Sequence, residues 1–331
     1  MTTSTTIAPA ADRPLSYLPI GLFGSVMGLT GLGVAWSQAH AHLGAPAWIA
    51  QVISTIAVAT FIALVVAYAI KLVFAPDAVR AEFRHPIAGN LFGTPIISLL
   101  LLPLVIAPVA LHVAQALWIV GAVAMLLFAW LVVDRWINDV QAPEHATPVW
   151  IIPVVGMLDV PLAMPVLDLP PDWQVIRLLG LTIGLFFAVP LFTLILARLL
   201  FQPPLPPALQ PTLLILLAPF SVGVSAYIVT VGRVDMFVEA MFLLALFLLA
   251  VLAGRLRYLL RCCPFRVAWW AVSFPLASTA IAALRMANAF DNEFADDLAW
   301  ALLTVATGVV AWLAARTLWG VARGELKTLT S

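Results

Sequence analysis

The residues most suited to a functional role lie between positions 269 and 279, where the sequence reads WWAVSFPLAST. This stretch carries a proline, two serines and a threonine inside a segment that is apolar enough to cross a bilayer. Proline removes one hydrogen bond from a helix and bends it just before itself, and Phe274 directly precedes Pro275. A bulky ring beside a broken turn, among small hydroxyl side chains, predicts a gate in a narrow polar passage. A kinked helix with an ordinarily packed phenylalanine is the alternative.

Asp159 and Arg285 are charged side chains within apolar segments, where charge often marks function. An ionised carboxylate at the centre of a membrane helix costs about 2.5–3.5 kcal/mol on insertion scales. Asp159 therefore either couples proton movement to transport or lies near the outer mouth of a broken helix. Arg285 either attracts anions or, as we expect, pairs with Asp291 or Glu293 or reaches the membrane surface with its long side chain.

Other kinds of chemistry find little support in the sequence. His40 and His42 are two residues apart, but no acidic or cysteine side chain lies near them in sequence, so a metal site is only weakly indicated. There is no glycine-rich phosphate loop followed by Lys and Ser or Thr, no nucleophile elbow and no zinc-protease helix. We therefore expect a protein that is not an enzyme, with no catalytic residue, no metal and no cofactor.

Composition places these residues in a membrane. The 331-residue chain is 63% hydrophobic and 10% charged, whereas soluble domains are about 45–50% apolar and about 25% charged. Its formal net charge of zero gives no basic face for nucleic acid. Ten stretches are long and apolar enough to cross about 30 Å of hydrocarbon; they cover residues 18–38, 48–74, 88–107, 113–133, 147–167, 176–201, 211–231, 236–252, 267–289 and 298–318.

The basic residues predict the orientation of these spans. With the N-terminus inside, all but three of the 16 Lys and Arg residues lie on the cytoplasmic side, as the positive-inside rule requires. The three exceptions are Arg177, Arg233 and Arg285. We therefore predict a multi-pass protein of the plasma (inner) membrane, with a disordered cytoplasmic N-terminal tail over 1–17, a ten-helix domain over 18–318 and a cytoplasmic C-terminal tail over 319–331.

Small, polar and helix-disturbing residues are concentrated in the odd-numbered spans. Irregular backbone at membrane depth is tolerated only where protein or a water-filled cavity satisfies its polar groups. We therefore predict an all-α integral membrane protein of ten transmembrane helices, paired as five hairpins, with odd helices lining a central pore and even helices outside. Close packing between helices is the alternative explanation for the glycines. The predicted pore-lining residues are Gly24, Gly28, Gly93, Thr94, Gly156, Ser221, Gly223, Ser225, Ser273 and Ser278.

Five motifs, in this order and spacing, resemble those of the tellurite-resistance/dicarboxylate transporter family, which includes bacterial TehA and the slow-type anion channels of plant guard cells. They are PIGLFG at 19–24 with Gly28 and Leu29, RAEFRHP at 80–86, PVWIIPVVG at 148–156, LAPFSVGVSAY at 217–227 and WWAVSFP at 269–275. Together they extend along nearly the whole membrane region.

The resemblance implies five helical hairpins in a quasi-fivefold arrangement, odd helices around a central pore, and a homotrimer with one pore in each protomer. It also implies that a phenylalanine on the ninth helix occludes the pore, and Phe274 stands at that position. One departure concerns the fifth helix, where related bacterial proteins often carry Asn and this chain has Met157, with Asp159 nearby.

Three functions follow as hypotheses. The first is an anion channel that passes small inorganic or organic anions through a pore closed by Phe274. The second is a proton-coupled C4-dicarboxylate transporter, or an exporter of sulfite- or tellurite-type oxyanions, in which Asp159 titrates. The third is a membrane scaffold or sensor with a sealed core. The expected partners are these anions, the lipid bilayer and further copies of the chain.

Overall fold

A computed structural model describes residues 13–262 and 264–330, with only the backbone described for Pro171 and for residues 255–262. Residues 1–12 of the tail predicted to be disordered lie outside the described residues. All regular structure in the described part is helical. Ten helices are long and apolar enough to cross a membrane, as predicted, and we number them as spans 1 to 10: Ile20–Leu43, Ala47–Phe74, Ala88–Ile106, Leu111–Asn138, Pro148–Val166, Gln174–Phe201, Pro207–Val231, Met236–Gly254, Val267–Phe290 and Glu293–Ala322.

Burial divides the spans into two sets. In the odd spans, 56–89% of the most apolar window is buried, against 11–33% in the even spans. The even spans therefore present most of their side chains to the surroundings, where large apolar residues such as Trp130 and Phe186 are well exposed. Such a surface is suited to lipid because a bilayer is as apolar as these side chains.

Contacts between the odd spans close a ring. Span 1 contacts span 3, span 3 contacts span 5, span 5 contacts span 7, span 7 contacts span 9, and span 9 returns to span 1. Each even span packs on the odd span before it. The interior of the bundle is therefore built by five different segments of one chain.

Every odd span begins with a 3₁₀-helical segment at the end predicted to face the cytoplasm. These segments are Ile20–Phe23, Ala88–Phe92, Pro148–Ile151, Pro207–Leu217 and Val267–Val272. Span 5 is the least regular, with four prolines, because each proline removes a backbone donor and, beyond the first turn, clashes with the preceding turn. Ring closure thus brings together segments with tighter turns and poorer hydrogen-bond geometry than an α-helix has.

A buried ion pair fixes the start of span 1. The Lys71 ammonium donates to Glu82 Oε2 and to the Leu18 carbonyl oxygen, both at 2.6 Å. Glu82 Oε1 accepts the Ile20 backbone N–H at 2.7 Å, and its Oε2 accepts the Tyr68 hydroxyl at 3.0 Å. Glu82 lies on the short helix Pro76–Arg84 between spans 2 and 3. Three consecutive segments of the chain therefore meet at one carboxylate.

Candidate functional site

Two cavities lie inside the bundle, one toward each membrane face. The inner cavity, of about 360 Å³, reaches the predicted cytoplasmic side, where His85 and Arg266 line it. The outer cavity, of about 1000 Å³, lies toward the opposite side, where Gln38 and Arg285 line it, and it also opens to the bundle surface beside the exposed residues Ile62 and Val109. Of the described residues, Phe274 and Val222 alone line both cavities. The aromatic ring and this valine therefore form the partition between the two spaces.

The backbone of span 9 positions Phe274 at the change from one helical form to another. The 3₁₀ segment Val267–Val272 ends two residues before it, and Phe274 is the second residue of the α-helix Ser273–Phe290. The side chain is buried, with 7% of its surface exposed. A Cβ atom at Gly31 of span 1 would lie 3.4 Å from Phe274 Cδ2. The ring therefore lies directly against the bare backbone of Gly31, a residue that was absent from the predicted pore lining.

The inner cavity is lined mainly by apolar side chains, with the predicted residues Gly24, Thr94, Gly156 and Asp159 among them. The Thr94 hydroxyl donates to the Leu91 carbonyl oxygen at 2.8 Å, so it is occupied within the helix. Asp159 is 2% exposed, and its Oδ1 atom is buried with no hydrogen-bond partner among the described residues. The carboxylate is thus the main unsatisfied polar group that this cavity offers.

The outer cavity carries more polar groups. Ser225, Ser278, Gln38 and Arg285 line it, the first two of them as predicted pore-lining residues. The hydroxyls of Ser278 and Ser221 are 2.7 Å apart, which joins span 9 to span 7. Buried atoms without a partner in the described chain are Ser225 Oγ, Gln38 Oε1 and Arg285 Nε.

The expected pairing of Arg285 with Asp291 or Glu293 is wrong. Arg285 forms no ion pair with any residue that the structure describes, and both carboxylates are exposed. The reason is helical phase: Phe274, Ser278, Ile281 and Arg285 follow the spacing i, i+4, i+7 and i+11, which places them on one face. All four line the outer cavity.

The other five predicted pore-lining residues do not line either cavity and lie in contacts between spans. A Cβ at Gly28 would collide with the Ser273 side chain, and one at Gly93 would lie 2.6 Å from Ile152 Cγ2. A Cβ at Gly223 would face Leu185 and Met241, and Ser221 bonds Ser278. These positions follow the close-packing alternative, because small residues let helix backbones approach. The five are Gly28, Gly93, Ser221, Gly223 and Ser273.

The two histidines lie in the last turn of span 1 and take separate partners. His40 Nδ1 lies 2.6 Å from the Ala45 carbonyl oxygen, and His42 Nε2 lies 2.9 Å from Asp296 Oδ1. Asp296 is distant in sequence, at the start of span 10, so sequence proximity gave no indication of this pair. The contact ties the outer ends of spans 1 and 10 together.

These features define a class of polytopic membrane proteins with two cavities that are separated by side chains. Residues 17–318 match the model of a family described as voltage-dependent anion channels, SLAC1. The chain belongs to this family, in agreement with the resemblance of its motifs.

Several curated proteins are similar to the chain along most of its length. It is 28% identical to the S-type anion channel SLAH3 of Arabidopsis thaliana, over 91% of this chain and 48% of that protein. It is 25% identical to the guard cell S-type anion channel SLAC1 of the same plant, over 92% of this chain and 56% of the relative. The tellurite resistance protein TehA homolog of Haemophilus influenzae is 28% identical over 80% of this chain and 79% of its own length. The chain thus spans about half the length of SLAH3 and of the plant SLAC1.

Proposed function

We propose that this protein is an anion channel in which small anions pass between the inner and outer cavities and the ring of Phe274 closes the passage. The observation that carries the proposal is the position of Phe274, which lines both cavities together with Val222. The ring lies on a glycine surface at Gly31, so a rotation of its side chain would open space without moving a helix. Similarity to S-type anion channels supports the choice of anions.

Charge and hydrogen bonding in the cavities favour anions over cations. Arg266 lines the inner cavity and Arg285 lines the outer one. The serine hydroxyls of the outer cavity can donate hydrogen bonds to an anion. Such groups bind anions weakly, and conduction needs sites that also release their ion. Asp159 is the acidic residue on the lining, and it lies on the inner side of the ring.

The proposal includes an assembly and an orientation. Both termini face the cytoplasm of a plasma-membrane protein, because the basic residues collect on that side. Three copies assemble into a homotrimer, each with its own passage, as the family resemblance implies. The mass of the purified protein in detergent, corrected for bound detergent, tests the number of copies.

The first test is anion current across planar bilayers that contain the purified protein. Phe274→Ala removes the ring and should raise the chloride current at least tenfold over the small wild-type current. Phe23→Ala is the matched control, because Phe23 is also a buried phenylalanine, with 3% of its surface exposed, but lines neither cavity. Equal, negligible currents in folded wild type and Phe274→Ala would overturn the channel proposal.

A proton-coupled carrier for dicarboxylates or oxyanions is the second candidate. It is favoured by Asp159, a buried carboxylate with an unpartnered oxygen on the wall of the inner cavity. Asp159→Asn keeps the size of the side chain and removes its titration. Proton-driven uptake into proteoliposomes should then fall at least tenfold in a carrier, whereas a channel should keep its chloride current within about twofold.

A further inference from the structure

The outer cavity contains a cationic side chain without a counter-ion. Arg285 lies on span 9, eleven residues after Phe274 on the same helix face. At 1.5 Å per residue, the two Cα atoms are separated by about 16 Å along the helix axis. The guanidinium thus lies on the wall of the outer cavity, between the partition and the outer face.

Acidic residues near the outer ends of the spans do not neutralise this arginine. Asp296 pairs with His42, and Asp235 pairs with Arg233. Arg285 itself has no ion pair within the described chain, and its Nε atom is buried without a hydrogen bond. A buried charge without a partner is costly, and an oppositely charged ligand would offset that cost.

Two further unsatisfied groups line the same cavity. Ser225 is 3% exposed, and its Oγ has no hydrogen-bond partner among the described residues. Gln38 Oε1 is also buried without a hydrogen-bond partner among them, and both residues line the cavity. A serine hydroxyl turns its proton toward an acceptor, and a glutamine amide presents its NH₂ group after a rotation. The guanidinium, hydroxyl and amide therefore supply donors from spans 9, 7 and 1, and no carboxylate is found among the described residues that line this cavity.

We propose that Arg285, with Ser225 and Gln38, forms an anion-binding site in the outer cavity that takes a small inorganic anion such as chloride or nitrate. The proposal rests on the channel function proposed above and adds the residue that selects the sign of the permeating ion. A fixed positive charge in a cavity with low-dielectric walls raises the local concentration of anions and lowers that of cations. Phe274 controls whether ions cross between the cavities, and Arg285 controls whether anions or cations are concentrated in the outer cavity.

The experiment compares reversal potentials in a potassium chloride gradient, with every variant built on Phe274→Ala so that current is measurable. Arg285→Gln should lower the permeability ratio of chloride to potassium about tenfold, and Arg285→Lys should keep it within about twofold, because the lysine retains the charge. Arg233→Gln is the matched control: it removes an arginine from the same predicted face, but Arg233 is exposed and does not line the cavity. An unchanged ratio in Arg285→Gln would overturn the inference while leaving the channel standing. Absence of current in Phe274→Ala would instead overturn the channel.

Binding without conduction gives a second readout, which also serves if a variant conducts poorly. Sodium nitrate, compared with sodium gluconate at equal ionic strength, should raise the Tm of the purified wild-type protein, because ligand binding stabilises the folded state. The shift should disappear in Arg285→Gln and persist in Arg233→Gln. An equal shift in all three proteins would contradict a site at Arg285.

Discussion

The ring of Phe274 owes its position to a residue on another span. Gly31 of span 1 offers no side chain, and an added Cβ would lie 3.1 Å from Ala277 Cβ and 3.4 Å from Phe274 Cδ2. The contact with Ala277 is tighter than a packed side chain ordinarily makes, so that turn of span 9 would have to move, whereas the contact with the ring is an ordinary van der Waals contact. The position of the Phe274 ring therefore depends on the absence of a side chain at Gly31.

We predict that Gly31→Ala increases current through the otherwise wild-type protein, because the added methyl group displaces the Ala277 turn of span 9 and, with it, the ring of Phe274. Overpacking of this kind typically costs about 1–3 kcal/mol of stability, so a lower Tm should accompany the current. In the Phe274→Ala background the substitution should leave the current unchanged within about twofold, since no ring remains to be displaced. Gly308→Ala, which meets no atom within 4 Å, is the control. Loss of current in both backgrounds would show that the methyl group blocks the passage instead.

Single residues also show where sequence reasoning reaches its limit. In the sequence, Phe274 precedes a proline in a stretch that carries serine and threonine within an apolar segment. In the structure, it lines both cavities. Gly28 and Ser273 were grouped with the lining, yet they pack on each other. A glycine on an inner helix serves packing or lining equally well, and only the rotation of the helix distinguishes the two. Arg285 was expected to pair with Asp291 or Glu293 or to reach the membrane surface, because the direction of its side chain also depends on that rotation.

At the scale of elements, the helical segments Pro76–Arg84 and Ile20–Phe23 depend on each other through Glu82. Its carboxylate accepts from Lys71, Tyr68 and the Ile20 backbone N–H. The Lys71 and Glu82 side chains are only 3% and 12% exposed. Charge-assisted bonds in such surroundings are strong, but removal of one partner leaves the other charge buried.

We predict that Glu82→Gln destabilises the protein by about 3 kcal/mol, because Lys71 loses its counter-ion in a buried site. Thermal unfolding in detergent, followed by the change in tryptophan fluorescence, measures the effect. Asp77→Asn is a matched control: it breaks the exposed Arg13–Asp77 pair on the same short helix, where the two side chains are 50% and 71% exposed. An exposed pair contributes about 0–1 kcal/mol. Equal Tm values for the two variants would contradict a structural role for the buried cluster.

The 3₁₀ beginnings of the odd spans were not predicted. Proline at positions 148 and 207 explains two of them, because proline is well tolerated in the first turn of a helix. The segments Ala88–Phe92 and Val267–Val272 contain no proline. Their tighter winding comes from packing in the ring, which the local sequence does not specify. The sequence therefore predicted which spans have irregular backbone. It did not predict that the 3₁₀ segments lie at the beginnings of those spans, which depends on tertiary contacts.

For the whole molecule, hydropathy was sufficient to predict the number of spans. The ninth span was expected at 267–289 and is found at Val267–Phe290, while the tenth, expected at 298–318, extends to Glu293–Ala322. An apolar criterion missed the first five residues of this helix, 293–297, because Glu293, Asp296 and Asp297 are charged. The odd and even alternation also agrees with the burial of the spans, because small residues and prolines are retained where other helices cover them.

The ring that the odd spans close lies within a single chain, and this has a genetic consequence. Where identical subunits surround one central opening, one codon change alters every subunit. The wall of that opening then changes at several equivalent places at once. Here each codon of the ring specifies one place on the wall, since five unlike segments build it. Mutations can therefore tune the two cavities stepwise and independently, with Asp159 on one side of the aromatic partition and Arg285 on the other.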